Sequence, residues 1–147
     1  MAQMSCVELT ILGEPMGKQR PKFSNAGKFV KTYTPKETIN YESKVVFAYK
    51  NATDYFFGDK EVKATIIAFY KLQKQHYKKK GINKEGMDKL IGIINPTSKP
   101  DCDNIAKIIL DALNGIAYHD DSQITKLVVC KKYAEQPKVI VKLEERN

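Results

Sequence analysis

The chain has 147 residues, with 25 lysines and arginines against 17 aspartates and glutamates, a net charge of +8 and an isoelectric point near 9.3. That length suits a single domain whose core needs no disulfide staples, and the charge suggests a polyanionic partner, nucleic acid ahead of an anionic membrane surface. Cys6, Cys102 and Cys130 are odd in number and lack the paired spacing of a zinc site, no apolar run approaches the roughly 20 residues that span a bilayer, and the opening MAQMSCVELTIL has neither the basic nor the apolar region of a secretion signal; a reduced, cytoplasmic protein with no membrane partner is expected.

Val7, Leu9 and Ile11 alternate with Glu8 and Thr10, a period of two that predicts a first strand ending at Gly13. The next stretch, GEPMGKQRPKFSNAGKFVKTYTP, has the glycine and proline punctuation of a long loop, with a short strand in KFVKTY. Thr34, Pro35 and Glu37 form a helix start: a hydroxyl N-cap, proline at the first helical position and a T-x-x-E capping box. Ile39, Glu42, Val45, Val46 and Tyr49 continue at helical spacing, which predicts a helix from Pro35 to Lys50.

VKATIIAFYKL, residues 62–72, is rich in β-branched and aromatic side chains and predicts a central strand. From Lys71 to Lys89 there are seven lysines (71, 74, 78, 79, 80, 84 and 89) against Glu85 and Asp88, broken by Gly81 and Gly86; a mobile basic segment and a short charged helix are both compatible with this. ITKLVVCKKY and KVIVKLEE are strand-like, and AEQP between them predicts a hairpin. The expected fold is α/β of the α+β type, a mixed sheet of about five strands with two main helices, forming one domain over 1–147 with a lysine-rich segment at 71–89.

KPDCDNIAK raises the question of function, because it concentrates acids in a basic chain. DNIAKIILDALNG reads as a helix capped by Asp103 or Asn104 and stopped by Asn114-Gly115. At about 100° per residue Ile105, Ile108, Ile109 and Ala112 share one stripe, and Asp103 and Lys107 lie together on the opposite side. Asp111, one turn beyond Lys107, opposes the helix dipole and needs a compensating partner. Asp120 and Asp121 precede the strand that starts near Ile124, so if strand and helix are neighbours the second acidic pair returns to the first. Singly, these acids read as a cap, a turn former and a loop pair. Together, four carboxylates repel one another unless a cation neutralises them, and a hard divalent ion such as Mg²⁺ would do so. Ile105 and Ala106 stand where an EF-hand needs a third oxygen ligand and a glycine, which excludes that loop. Cys102 reads as a small filler, and His119 as a hydrogen-bonding or solvent-facing residue.

KPDCDNIAKIILDALNGIAYHDDSQI resembles the signature of the RusA-type Holliday junction resolvases, small Mg²⁺-dependent endodeoxyribonucleases of bacteria and their phages. GEPMGKQRPKF is similar to that family's N-terminal G-x-P-x-x-K-x-R-P-[RK]-F segment. The resemblance implies a dimeric enzyme that resolves four-way DNA junctions by paired symmetric nicks in recombination and repair. It implies Asp101, Asp103, Asp121 and Lys107 as the catalytic set, with Mg²⁺, or Mn²⁺ as a substitute, held by Asp101, Asp103 and Asp121, and Asp120 beside them. Lys18, Arg20, Lys22, Lys99 and Lys107 are the expected DNA contacts, with Lys28 and Lys31 as further ones. Tyr70, Tyr77 and Phe23 could stack on unpaired bases, although aromatics beside strands are more often core. Two rival readings are a non-catalytic basic DNA-binding module and a structure-selective nuclease acting on flaps or forks.

Overall fold

The computed structural model describes residues 5–26 and 29–146, with 24–26 and 29–31 described by their backbone alone. Four strands form one mixed sheet: β1 (Cys6–Leu12), β4 (Val62–Lys71), β7 (Ile124–Ala134) and β8 (Lys138–Glu145), in the order β1-β8-β4-β7. β2 (Lys22–Ala26) and β3 (Phe29–Tyr33) make a separate antiparallel hairpin in the stretch expected to be mostly loop. α1 (Lys36–Ala52) and α3 (Cys102–Ala112) pack on one face of the main sheet and on each other.

The alternation that predicts β1 puts Val7, Leu9 and Ile11 into the core. The same period buries Val62, Ala64, Ile66 and Ala68 of β4, and Val139, Val141 and Leu143 of β8, under the helices. β4 is central as expected, antiparallel to β8 and parallel to β7. The last two strands do not form a hairpin. β4 lies between them and pairs with both, so the AEQP link passes over the end of β4. AEQP contains no Asn-Gly or Asp-Gly turn to hold its flanking strands together, and β4, apolar along its whole buried side, gains two paired edges.

α1 begins one residue later than its sequence suggests. Pro35 is extended (φ −55°, ψ 143°) and occupies the N-cap without a side-chain cap bond, which displaces Thr34 from the capping position. The buried face of α1 is Thr38, Tyr41, Val45 and Tyr49. Ile39 is half exposed and, with Val46, edges a shallow groove between α1 and α3 that also contains Glu42 and Asp111.

The lysine-rich segment is an ordered lobe: a 3₁₀ turn at Lys74–His76, a miniature hairpin of β5 (Tyr77–Lys78) and β6 (Gly81–Ile82), and α2 (Lys84–Leu90), which docks on β7. Among the described residues no helix is long and apolar enough to cross a membrane.

Candidate active site

α3 is positioned by its own amphipathicity. Ile105, Ile108 and Ile109 are fully buried, each worth about 2 kcal/mol of apolar burial, and this fixes the helix's rotation so that Asp103 and Lys107 are exposed. Ala106 and Leu110 extend the buried stripe, and Ala112 is half-buried. The helix starts at Cys102, with Asp101 rather than Asp103 or Asn104 at the N-cap. The Asp101 backbone carbonyl accepts the Ile105 N–H (3.0 Å), and its side chain makes no cap bond. Cys102 is exposed at the helix mouth and so fills no core space.

Two contacts fasten the approach to this end of α3, which passes through a cis Lys99–Pro100 bond. The Tyr70 hydroxyl donates to the Pro100 carbonyl (2.7 Å), which makes Tyr70 a buried strut and not an exposed stacking ring. Lys18 N–H donates to the Asn104 carbonyl (3.1 Å). Gly17 lies so close that an added Cβ would stand 2.9 Å from Pro100 Cβ and 3.1 Å from Asn104 Cβ. Loop 15–19 thereby walls a cleft of about 400 Å³ against Lys99, Pro100 and Asp101. Among the described residues Asp101, Asp103 and Lys107 make no side-chain hydrogen bond or ion pair, so the simple cap and i,i+4 readings of these side chains have no counterpart in the fold.

The second acidic pair is at the other end of the helix. α3 and β7 are neighbours, but the turn brings Asp121 to Asp111, eight residues and about 12 Å of helix from Asp103. Asp121 N–H donates to Asn114 Oδ1 (2.9 Å). Burial, a hydrogen bond with the Asp111 carboxyl and the charges of Asp120 and Asp111 hold Asp121 above the usual carboxylate range. Asp120 has the opposite environment: it caps the 3₁₀ turn Asp121–Gln123, accepting from Ser122 N–H (3.0 Å), and is held below its ordinary value. Of the two neighbours, Asp120 is occupied by the turn and Asp121 faces another carboxylate. Among the described residues no three His, Cys, Asp or Glu side chains form a ready-made metal cluster.

Asp111's compensating partner is Lys18, whose ammonium stands 3.5 Å from Asp111 Oδ2 and 3.2 Å from both carboxylate oxygens of Glu42. Lys18, expected on a DNA phosphate, is thus turned inward as counter-ion to two helices. Arg20, Lys22 and Lys99 are exposed, as is Phe23; Lys28 and the side chain of Lys31 lie outside the described residues. Glu42 is the site residue that sequence reasoning missed. Its signal was present, a carboxylate on the otherwise apolar stripe of α1. Beneath the second pair, the buried Tyr118 hydroxyl donates to the Leu110 carbonyl (2.7 Å), and burial and the nearby aspartates push its phenol far up. His119 is exposed, 3.5 Å from Asp59.

The donors are all hard oxygens, which suits Mg²⁺ or Mn²⁺. Two exposed carboxylates at the helix mouth are unengaged, and the Asp111–Asp121 contact is one that added positive charge would relieve. Mg²⁺ commonly needs only one or two carboxylates and completes its shell with water, so the set fits such an ion without a preformed cage.

The family model described as endodeoxyribonuclease RusA matches residues 13–144. Over 144 residues the chain is 33% identical to YqaN, an uncharacterized protein of Bacillus subtilis (strain 168), an alignment that covers 97% of this chain and 98% of that protein.

Proposed function

This chain belongs to the RusA endodeoxyribonuclease family, and from that premise we propose that it resolves four-way DNA junctions by paired, symmetric phosphodiester hydrolysis, with Mg²⁺ as cofactor and Mn²⁺ as a substitute. The observation that carries the reading is the unpaired trio Asp101, Asp103 and Lys107, exposed together over the first turns of α3. Two carboxylates and an ammonium side by side on one exposed helix face, none paired with the others, are free to meet a metal ion and a phosphate.

Asp101 and Asp103 would hold one metal ion at the mouth of α3, and Asp121, with Asp120 beside it, would hold a second at the far end of the helix. Bound there, the metal supplies a water of lowered pKa and Lewis-acid neutralisation of phosphate charge. Lys107 places its amino group midway along the acidic face, about 6 Å of helix from Asp103 and from Asp111, where it opposes charge that develops on the non-bridging oxygens. Arg20, Lys22 and Lys99 contact the DNA backbone, and counterion release from those phosphates provides affinity in spite of the acidic centre. Lys18 acts indirectly, holding Asp111 and Glu42 in place. A four-way junction has approximate two-fold symmetry, so a C₂ dimer presents one site to each of two opposed strands.

The test offers a labelled immobile junction and a matched linear duplex to wild type, Asp103→Asn and Lys107→Ala with Mg²⁺ or Ca²⁺. Wild type with Mg²⁺ should nick the junction on opposed strands, leaving ligatable 5′-phosphate and 3′-hydroxyl ends, and both variants should be strongly impaired. Equal cutting by wild type and Asp103→Asn would sink the site, and equal cutting of junction and duplex would sink the substrate. Sedimentation of the protein alone measures the dimer.

A further inference from the structure

We propose that the lobe formed by residues 73–91 is a rigid clamp for the phosphate backbone of a duplex DNA arm, with the hairpin tip Lys78-Lys79-Lys80 as its contact surface. This rests on the reading of the chain as a DNA nuclease and adds a binding surface to it.

A lysine run is ordinarily a solvated surface, and three features distinguish this one. First, the lobe has a core of its own. His76 is fully buried, its Nδ1 accepting Gln73 N–H (3.2 Å) and its Nε2 standing 3.1 Å from Lys89 Nζ. Asn83 ties the lobe across itself, donating from its backbone to the His76 carbonyl (2.9 Å) and from its side chain to the Gln75 carbonyl (3.0 Å), and accepting Gly86 N–H (2.8 Å). Gly86 is packed so tightly that a Cβ would fall 2.4 Å from Ile82 Cγ2 and 2.9 Å from His76 Cβ. Charge that serves only solubility does not require such a mount.

Second, the core takes Lys89 and leaves the other lysines outside. Glu85 is 3.9 Å from both His76 and Lys89. Lys74, Lys78, Lys79, Lys80 and Lys84 are exposed and, among the described residues, form no ion pair. Gly81, at φ +110°, closes a tight turn in which Lys78 pairs with Gly81 and Lys79-Lys80 form the tip. With strands about 4.8 Å apart, three like charges are held within the space of a few phosphates of a duplex, which carries one charge per roughly 1.7 Å of axis.

Third, the lobe shares its footing with the approach to the catalytic helix. Leu72 N–H donates to the Ala134 carbonyl (3.3 Å), and Lys89 Nζ lies over the Tyr133 ring (4.9 Å). On the same strands, Lys131 donates to the Ser98 carbonyl (2.6 Å) and Tyr70 to the Pro100 carbonyl. A duplex with its scissile phosphate at Asp101–Lys107 has the lobe anchored beside it.

The test measures junction affinity by fluorescence anisotropy in Ca²⁺ over a salt series, for wild type, Lys78→Ala/Lys79→Ala/Lys80→Ala, and the charge-matched Lys36→Ala/Lys50→Ala/Lys63→Ala. Each lost phosphate contact reduces the slope of log K against log salt by about 0.9 and costs about eightfold in K at 0.1 M relative to 1 M salt. The hairpin variant should therefore lose up to about 2.7 from the slope, and the distributed variant less than one contact's worth, with the maximal cleavage rate at saturating junction unchanged. Gly86→Ala keeps every charge but loosens the mount, and should bind more weakly than wild type. An unchanged slope in the hairpin variant, equal losses in both triple variants, or full affinity in Gly86→Ala overturns the proposal. Wild type that binds with the stated slope difference yet cuts nothing refutes the resolvase reading and leaves the clamp standing; normal cutting with an unchanged hairpin slope does the reverse.

Discussion

Lys18→Met removes the cation that stands between Glu42 and Asp111, and its effect follows from the geometry. The ammonium is 3.2 Å from Glu42 and 3.5 Å from Asp111, and the three side chains are 22%, 22% and 27% exposed. At an effective dielectric near 20 each contact has a gross Coulomb energy of about 5 kcal/mol. Most of that is offset by desolvation: breaking a buried pair costs about 3–5 kcal/mol and an exposed one about 0–1. At a quarter exposure the net loss should be about 2 kcal/mol, or about 6 °C in Tm for a chain of this size. Urea unfolding in EDTA at neutral pH measures it. Lys18→Met/Asp111→Asn should recover part of the loss, since it discharges one of the two carboxylates left without a cation. Mg²⁺ should stabilise Lys18→Met more than it stabilises wild type, because the divalent ion then has three carboxylates to neutralise. A single variant within about 0.5 kcal/mol of wild type, or a double variant with purely additive loss, refutes the reasoning.

Asp121 is held above its ordinary value, so between an unfolded pKa of about 4 and the raised folded one the native state binds the extra proton, and stability falls as pH rises through that window. In EDTA, Asp121→Asn should therefore melt higher than wild type at pH 7, lose that advantage below about pH 4, and fail to cut junctions; a lower Tm at pH 7 contradicts this. Tyr70→Phe removes the strut to Pro100 and about 1 kcal/mol of hydrogen bonding; single-turnover cutting should fall several-fold with junction affinity unchanged. Since burial is the main cause that pushes the Tyr70 phenol up to about 12, the loss should be equal at every pH from 6 to about 10. Ile109→Ala should cost about 3 kcal/mol in urea unfolding, whereas exposed Ile39→Ala should cost less than 1.

β1, β8 and α3 were legible because each carries a clean period, two in the strands and 3.6 in the helix; β4 was legible from its β-branched and aromatic content, and α1 from its helical spacing although Ile39 of that stripe is half exposed. The partners of a strand are not written in its period. β7 and β8 are four residues apart in sequence, yet β4 separates them, a choice made by the edges of β4 and not by AEQP. Local capping was read one position out at α1 and two or three at α3, since Pro35 and Asp101 set where helical dihedrals begin. In the site, Asp103 and Lys107 were correctly placed on the outward face by helix geometry alone. What the sequence could not show was the direction in which β7 returns, which determines that Asp121 meets Asp111 and not Asp103. Nor does any local pattern pair Lys18 with Glu42, 24 residues away. The lobe was illegible for another reason: its core is a polar triad of His76, Lys89 and Asn83, which has no hydrophobic period to detect.

In chain order β8 is the last of the described elements, yet it lies inside the sheet, joined to β1 on one side and to β4 on the other. A ribosome delivering this chain at about 5–20 residues per second releases every group assigned to cleavage before the strand that unites the sheet. Until β8 arrives, β1 has no neighbour among the described strands, and α1 and α3 have only part of a surface to settle on. Assembly consequently depends on contacts distant in sequence, the slow kind, and nascent chains should present unpaired edges that attract chaperones. A premature stop ahead of Lys138 should yield no attenuated enzyme, only a chain that is cleared.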